Sequence, residues 1–246
     1  YPRWDGAAPL RFAEADARAI RNVLTSRSGA SIQLISGSSA TKSSVKAAMA
    51  RLVADSRQGD TVLYFQSGHG VLLADPASPE IERTCLLLAD SSSDAPIPTS
   101  LTDREIGQEL LDALPGRDVV IILDACYSGA GTKGAGELRP KSAPAPYRFR
   151  YVRAGNSGRV AVQHGHARLT FLAACTFSQM AFEDDRRGHG LLTAALLEAL
   201  PPPTSTGEVA SSVLKRVPVW AREKGQVQTP VVLDRSGGSL MLLEGP

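Results

Sequence analysis

Asp118-Val-Val-Ile-Ile-Leu-Asp-Ala-Cys-Tyr-Ser-Gly129 decides the fold. Its first half, Asp118 to Leu123, is the strongest strand signal in the chain, an unbroken apolar run of the kind buried inside a parallel sheet. Its second half is a short turn, Asp124 to Gly129, with a cysteine near its start. A second segment has the same form. Thr61 to Gln66 reads as a buried strand and runs into Ser67-Gly-His-Gly70. Outward from these two, helix and strand signals alternate. Leu10, Ala13, Ala17, Ile20 and Leu24 recur at helical spacing, and Thr41 caps a helix through Val53 with Val45, Met49, Leu52 and Val53 inward. Thr102-Asp-Arg-Glu105 is a capping-box pattern that opens a helix through Leu114. Further strands are expected at Ser31–Ile35, Thr84–Ala89, Leu169–Ala174 and Pro230–Leu233, and further helices near Leu191–Leu200 and Val209–Glu223. This alternation predicts an α/β fold in three layers, a mostly parallel central sheet with helices on both faces.

The chain has 246 residues, 43% of them apolar, and a net charge of +2. That length suits one domain, spanning 1–246. The near-neutral balance argues against a disordered chain and against a nucleic-acid binder. No apolar run is long enough for a bilayer, so no membrane partner is expected. The start, Tyr1-Pro-Arg-Trp-Asp5, does not read as a signal peptide, so a cytoplasmic location is expected. Three widely spaced cysteines, Cys85, Cys126 and Cys175, form neither a disulfide framework nor a zinc motif. His164 and His166 alternate in a Gly-containing stretch, but spacing supplies no third ligand, and a solvated loop is the expectation; no metal site is assigned.

In a sheet of this type, functional groups gather beyond the carboxyl ends of the strands. Cys126 and His69 stand at two such ends. A thiol is a useful nucleophile only as thiolate, and a neighbouring imidazole can take its proton and return it to a leaving amine. Gly70 lets the backbone approach a substrate closely, so the N–H groups of Gly70 and Cys126 are candidate oxyanion donors. Cys85 and Cys175 lie in or at the end of apolar strands without such turns and read as core.

Between Gly129 and Arg168 the composition shifts to Gly, Ala, Pro and Ser. Seven basic residues, Lys133, Arg139, Lys141, Arg148, Arg150, Arg153 and Arg159, face Glu137 as the lone acid. Residues 130–167 are expected to be a mobile basic linker loop between a region 1–129 and a region 168–246.

Tyr64-Phe-Gln-Ser-Gly-His-Gly70 resembles the histidine motif of caspases, metacaspases and paracaspases. Asp124-Ala-Cys-Tyr-Ser-Gly129 resembles their cysteine motif in the form common in bacterial members. The likeness extends to Leu10–Ala17, Ala40–Lys42, Thr102–Ile106, Phe171–Cys175, Gln179–Glu183 and Gly190–Thr193, and so covers nearly the whole chain. It implies a caspase-like sheet, with large- and small-subunit-like regions on either side of the linker. It also implies a thiol protease acting on protein or peptide substrates through an acyl-enzyme, in regulated proteolysis such as stress response, defence or cell death. No cofactor is implied for the chemistry itself. Many metacaspases need calcium; Asp75, Glu80, Asp90 and Asp94 are oxygen donors, but no calcium site can be placed on them. A regulatory protein or neighbouring domain is a further expected partner.

The resemblance also bears on specificity. Where caspases carry Gln two positions before the cysteine, this chain has Asp124, as metacaspases do. Asp16 matches a second acidic pocket residue on the first helix, with Ala13 and Ser67 as expected walls. Two carboxylates in one partly desolvated pocket call for a cation, so cleavage after Arg or Lys is expected, including self-cleavage within 130–167. A clostripain-like or separase-like peptidase and an inactive caspase-like interaction module are the alternatives. One departure stands out: the apolar central strand that the family has just before the segment matched by Tyr1 is absent from this sequence.

Overall fold

The computed structural model describes residues 3–28, 30–75, 78–126, 138–141, 168–176, 179–200 and 203–243. In chain order the first elements are α1 (Ala13–Ser28), α2 (Lys42–Asp55), β1 (Thr61–Ser67), β2 (Gly70–Asp75), β3 (Ser78–Leu86), α3 (Pro96–Thr99), β4 (Leu101–Thr102), α4 (Asp103–Ile106) and β5 (Asp118–Asp124). There follow β6 (Leu138–Pro140), β7 (Leu169–Ala173), β8 (Phe182–Asp184), β9 (His189–Gly190), α5 (Leu191–Ala199), β10 (Thr204–Ser205), α6 (Thr206–Arg222), β11 (Val231–Asp234) and β12 (Met241–Leu243).

The central sheet has the order β1-β5-β7-β11. The first three strands are parallel, and β11 runs antiparallel at the edge. All seven residues of β5 are buried, because β1 and β7 pair with both its edges and helices cover both its faces. That position explains the unbroken apolar run. The register pairs Thr61 with Asp118 and ends by pairing Ser67 with Asp124. The two turns therefore leave the sheet flush, with His69 and Cys126 each two residues beyond the last pair.

The helices are set by local chemistry. Thr41 caps α2 by accepting from the Ser44 N–H, with the Ser44 hydroxyl reciprocating. Ser205 and Glu208 form the same kind of box on α6, whose buried stripe is Val209, Val213, Val217 and Trp220. The Thr102–Glu105 box is formed as the pattern predicts, but the helix it opens passes into a π-helical turn, Gly107–Leu111. Among the described residues no helix is long and apolar enough to cross a membrane.

Four expectations need correction. The first helix starts at Ala13 rather than Leu10, because the N–H groups of Arg11 and Phe12 donate to the Glu183 carboxylate at 2.9 and 2.8 Å instead of entering a helical turn. Ser31–Ile35 is not a strand. It borders a groove of about 1460 Å3 that separates it from β1 and is lined by Ile20, Leu24, Met49 and Leu63, so it has no ladder there to join. Of Thr84–Ala89 only residues 84–86 are strand, the end of a longer strand, β3, that pairs antiparallel with β2 and β4 and lies outside the central sheet. Cys85 and Leu87 are buried in a small second cluster with Trp4, Val71 and Leu73, while Leu86 and Leu88 pack into the main core. Finally, 130–167 is not wholly a linker: residues 138–140 form β6, paired with β8. Apart from Lys141, the rest of that segment, with His164 and His166, lies outside the described residues.

Candidate active site

The turn after β1 and the turn after β5 are bonded to each other. The Gly68 N–H donates to the Asp124 carbonyl at 3.2 Å. Gly70 packs so closely on the backbone of Cys126 that any β-carbon at Gly70 would overlap the Cys126 carbonyl. This contact is why the residue after the histidine must be glycine.

His69 is fully buried, and its Nε2 lies 2.6 Å from the Ala8 carbonyl. A carbonyl only accepts, so Nε2 carries a proton. Burial holds the imidazole below its ordinary pKa, opposed by hydrogen bonds with the backbone of Ala8 and Lys141, while the Lys141 charge adds to the depression. The ring is thus kept as a neutral base. Cys126 is fully buried as well. Its Sγ accepts from the Ala181 N–H at 2.9 Å and donates to the Ala181 carbonyl at 3.3 Å. The other cysteines behave as core: burial pushes the Cys85 thiol up to about 12, and the Cys175 thiol contacts the Gln179 carbonyl at 3.4 Å.

Beside these groups lies a fully buried acidic pocket. Asp124 extends from the end of β5, and Asp16 from the first turns of α1. Asp124 Oδ2 accepts from the N–H and hydroxyl of Thr193 at 3.0 and 2.6 Å. Asp16 is held by the Gly190 N–H at 3.1 Å, by the Ser67 hydroxyl at 2.7 Å and by His189 Nδ1 at 2.9 Å. Gly190 forms one wall, since a methyl group there would collide with the Asp124 carboxylate. The Ser67 hydroxyl lies between Asp16 and the pocket's cation. Ala13 lies one turn before Asp16 and lines the groove beside β1.

The pocket contains the side chain of Lys141. Its ammonium sits 3.0 Å from Asp16 Oδ2, 3.0 Å from Asp124 Oδ1 and 2.8 Å from the Ser67 hydroxyl, with no exposure to solvent. Burial by itself would lower the lysine pKa. The charges of Asp124 and Asp16 outweigh it and hold the value above the usual lysine range, so the group is a cation. For Asp16, burial is outweighed by the Lys141 charge and by hydrogen bonds from His189 and Ser67, and its pKa falls. For Asp124, burial prevails over the Lys141 charge, Asp16 reinforces it, and its pKa rises. Together the two acids define a site for one cation, in which Asp16 is the firmer anion.

The backbone of this lysine is also held. Its N–H donates to the Ala181 carbonyl at 2.8 Å, and its carbonyl accepts from the Gly70 N–H at 3.3 Å. Residues 138–140 run antiparallel to β8, with Arg139 opposite Glu183. Ala8, Ala181, Gly190, Thr193 and Lys141 thus join the residues expected from the sequence. Asp90, one of the acids considered for calcium, accepts from the Lys42 N–H at 2.8 Å at the start of α2.

The caspase-domain family model matches residues 1–236, and the chain belongs to that family. No curated protein matches the chain. Among solved structures, the crystal structure of protein GSU0716 from Geobacter sulfurreducens is similar in fold. It has 20% sequence identity and a TM-score of 0.65, with 92% of this chain and 85% of that chain covered. The family supports a cysteine peptidase-like function acting on protein or peptide substrates.

Proposed function

We propose that this chain is a cysteine endopeptidase that cuts after Lys or Arg, with Cys126 as nucleophile and His69 as general base. The single observation that carries the reading is a lysine ammonium, wholly removed from water, held between Asp16 and Asp124, the latter two residues before Cys126. His69 Nδ1 takes the thiol proton, and the thiolate attacks the scissile carbonyl. The Gly70 N–H, already aimed at a carbonyl oxygen at this position, supports the oxyanion. The imidazolium then protonates the leaving amine. Water, deprotonated by the same ring, hydrolyses the acyl-enzyme. Ala8 acts through His69 as a positioning group, holding a proton on Nε2.

The test is a set of peptide reporters that differ only in the residue before the scissile bond, run with and without calcium. Hydrolysis after Arg and Lys, lost in Cys126→Ala and His69→Ala variants that melt like the wild type, is expected. Faster cutting after Asp would overturn the pocket assignment. Binding of basic peptides without any turnover would point to an inactive interaction module.

A further inference from the structure

We infer that the acidic pocket selects the ammonium of lysine over the guanidinium of arginine, and that His189 is the positioning residue that sets this preference; the inference rests on the peptidase reading above and narrows its substrate class. An ammonium carries three N–H donors around one nitrogen. A guanidinium carries five in a flat fork that matches the two oxygens of one carboxylate. The ammonium in the pocket donates to Asp16 Oδ2 at 3.0 Å, to the Ser67 hydroxyl at 2.8 Å and to the Asp124 carbonyl at 3.3 Å. All its donors are thereby spent, and Asp124 Oδ1 stands 3.0 Å away as a counter-charge.

Each carboxylate has its second oxygen engaged elsewhere. Asp124 Oδ2 accepts from the N–H and hydroxyl of Thr193, and Asp16 Oδ1 accepts from His189 Nδ1 and the Gly190 N–H. A guanidinium entering here meets one oxygen from each acid and the paired oxygens of neither. Its leftover N–H groups are buried without acceptors in a site closed to water. Depth acts in the same direction. Gly190 closes the pocket against the ammonium, since a β-carbon there would collide with both the ammonium and the Asp124 carboxylate. Arginine is one bond longer than lysine, and its fork runs into this wall.

His189 is what makes Asp16 one-sided. The Gly190 N–H lies 3.1 Å from Oδ1 and 3.3 Å from Oδ2, and so hardly chooses between them. The imidazole does choose, with Nδ1 2.9 Å from Oδ1. Asp184 lies opposite His189 on the neighbouring strand, but its carboxylate is turned onto its own loop, where it accepts from the Arg186 N–H at 2.9 Å and from the Arg187 guanidinium. Asp16 is thus the acid that the ring engages. The His189 side chain is 23% exposed, so its replacement opens the site towards solvent and leaves no sealed cavity.

The experiment is a competition between two reporter peptides that differ only in Lys or Arg before the scissile bond, mixed in one tube and followed by mass spectrometry. Both peptides meet the same protein molecules, so the ratio of their kcat/KM values does not depend on how many pockets are already filled. Wild type is compared with His189→Ala and His189→Leu, which remove the donor with and without opening space, and with His189→Asn, whose amide nitrogen stands in for Nδ1. Wild type is expected to favour Lys by at least about tenfold, the cost of burying one donor unmatched. His189→Asn keeps most of that ratio. His189→Ala and His189→Leu bring it within about threefold of unity, chiefly through faster turnover of the Arg peptide, because Asp16 then has a second oxygen to offer the fork. A merely structural role would slow both peptides and leave the ratio in place. Wild type that cuts the Arg peptide as fast as the Lys peptide would overturn the inference, and a ratio unchanged in whichever of the Ala and Leu variants folds would overturn the part assigned to His189. Both results leave the peptidase reading intact. Failure of every protein to hydrolyse either peptide would remove both.

Discussion

Replacing Asp124 by Asn removes one charge from the pocket at almost constant volume. Its Oδ1 lies 3.0 Å from the bound ammonium in a fully buried site, while Oδ2 accepts two hydrogen bonds from Thr193. The asparagine oxygen can keep the Thr193 bonds. The amide nitrogen must then face the cation, donor against donor. At 3.0 Å and an effective dielectric of about 20, the lost attraction is roughly 5 kcal/mol. Breaking one side of a buried pair typically costs about 3–5 kcal/mol. At about 1.4 kcal/mol per tenfold, kcat/KM on an Arg reporter should fall roughly 150- to 4,000-fold. The assay compares Arg with citrulline, its neutral isostere, in the wild type and in Asp124→Asn, each in a Lys141→Gln background so that no internal lysine competes. The wild type should strongly prefer Arg, and the variant should lose most of that preference by losing Arg turnover alone. An unchanged Arg-to-citrulline ratio would refute the reasoning, because the charge of Asp124 would then not be what recognises the substrate.

Two further outcomes are expected. Gly190→Ala places a methyl group against both the Asp124 carboxylate and the seated ammonium; cleavage after Arg and Lys should fall by at least about a hundredfold, since a bulky P1 cation no longer fits, and a variant with normal turnover would show that this wall moves freely. Burial pushes Asp103 up to about 6, despite hydrogen bonds from the backbone of Arg104 and Thr84; a raised folded pKa means that the folded state holds this proton more tightly, so its stabilising effect is present near pH 4 and is lost as pH rises through 6. Asp103→Asn should therefore be more stable than wild type at pH 7, by on the order of 2 kcal/mol, with the gap closing at pH 4 in urea unfolding; a gap independent of pH would refute the assignment.

The parts legible in the sequence were those written in local runs of side chains. Asp118–Leu123 announces a doubly covered strand, and the Gly-flanked His69 and the Asp124-Ala-Cys126 turn announce strand ends built for chemistry. Asp16 was reached only through family resemblance, because a lone acid on a helix carries no signal of the partner it meets 125 residues later. The contributions of Ala8 and Ala181 were invisible: both act through backbone groups, which every residue possesses. Lys141 was one of seven basic residues in a segment of loop-like composition. Its pairing with β8, more than 40 residues away, depends on tertiary contact and not on propensity. The Gly70–Asp75 strand carries no separate signal for a related reason, since it follows directly on the histidine turn and pairs in a separate small sheet.

The pairing of β5 with β7 joins two stretches of chain that the whole of 127–167 separates in sequence. Five registered residue pairs, Val119 with Leu169 through Leu123 with Ala173, run along the middle of the sheet. A covalent break between them cuts across none of these rungs. The two halves of a severed chain would stay zipped as neighbouring staves of one sheet, travel together through a sizing column, and part only when the sheet itself melts.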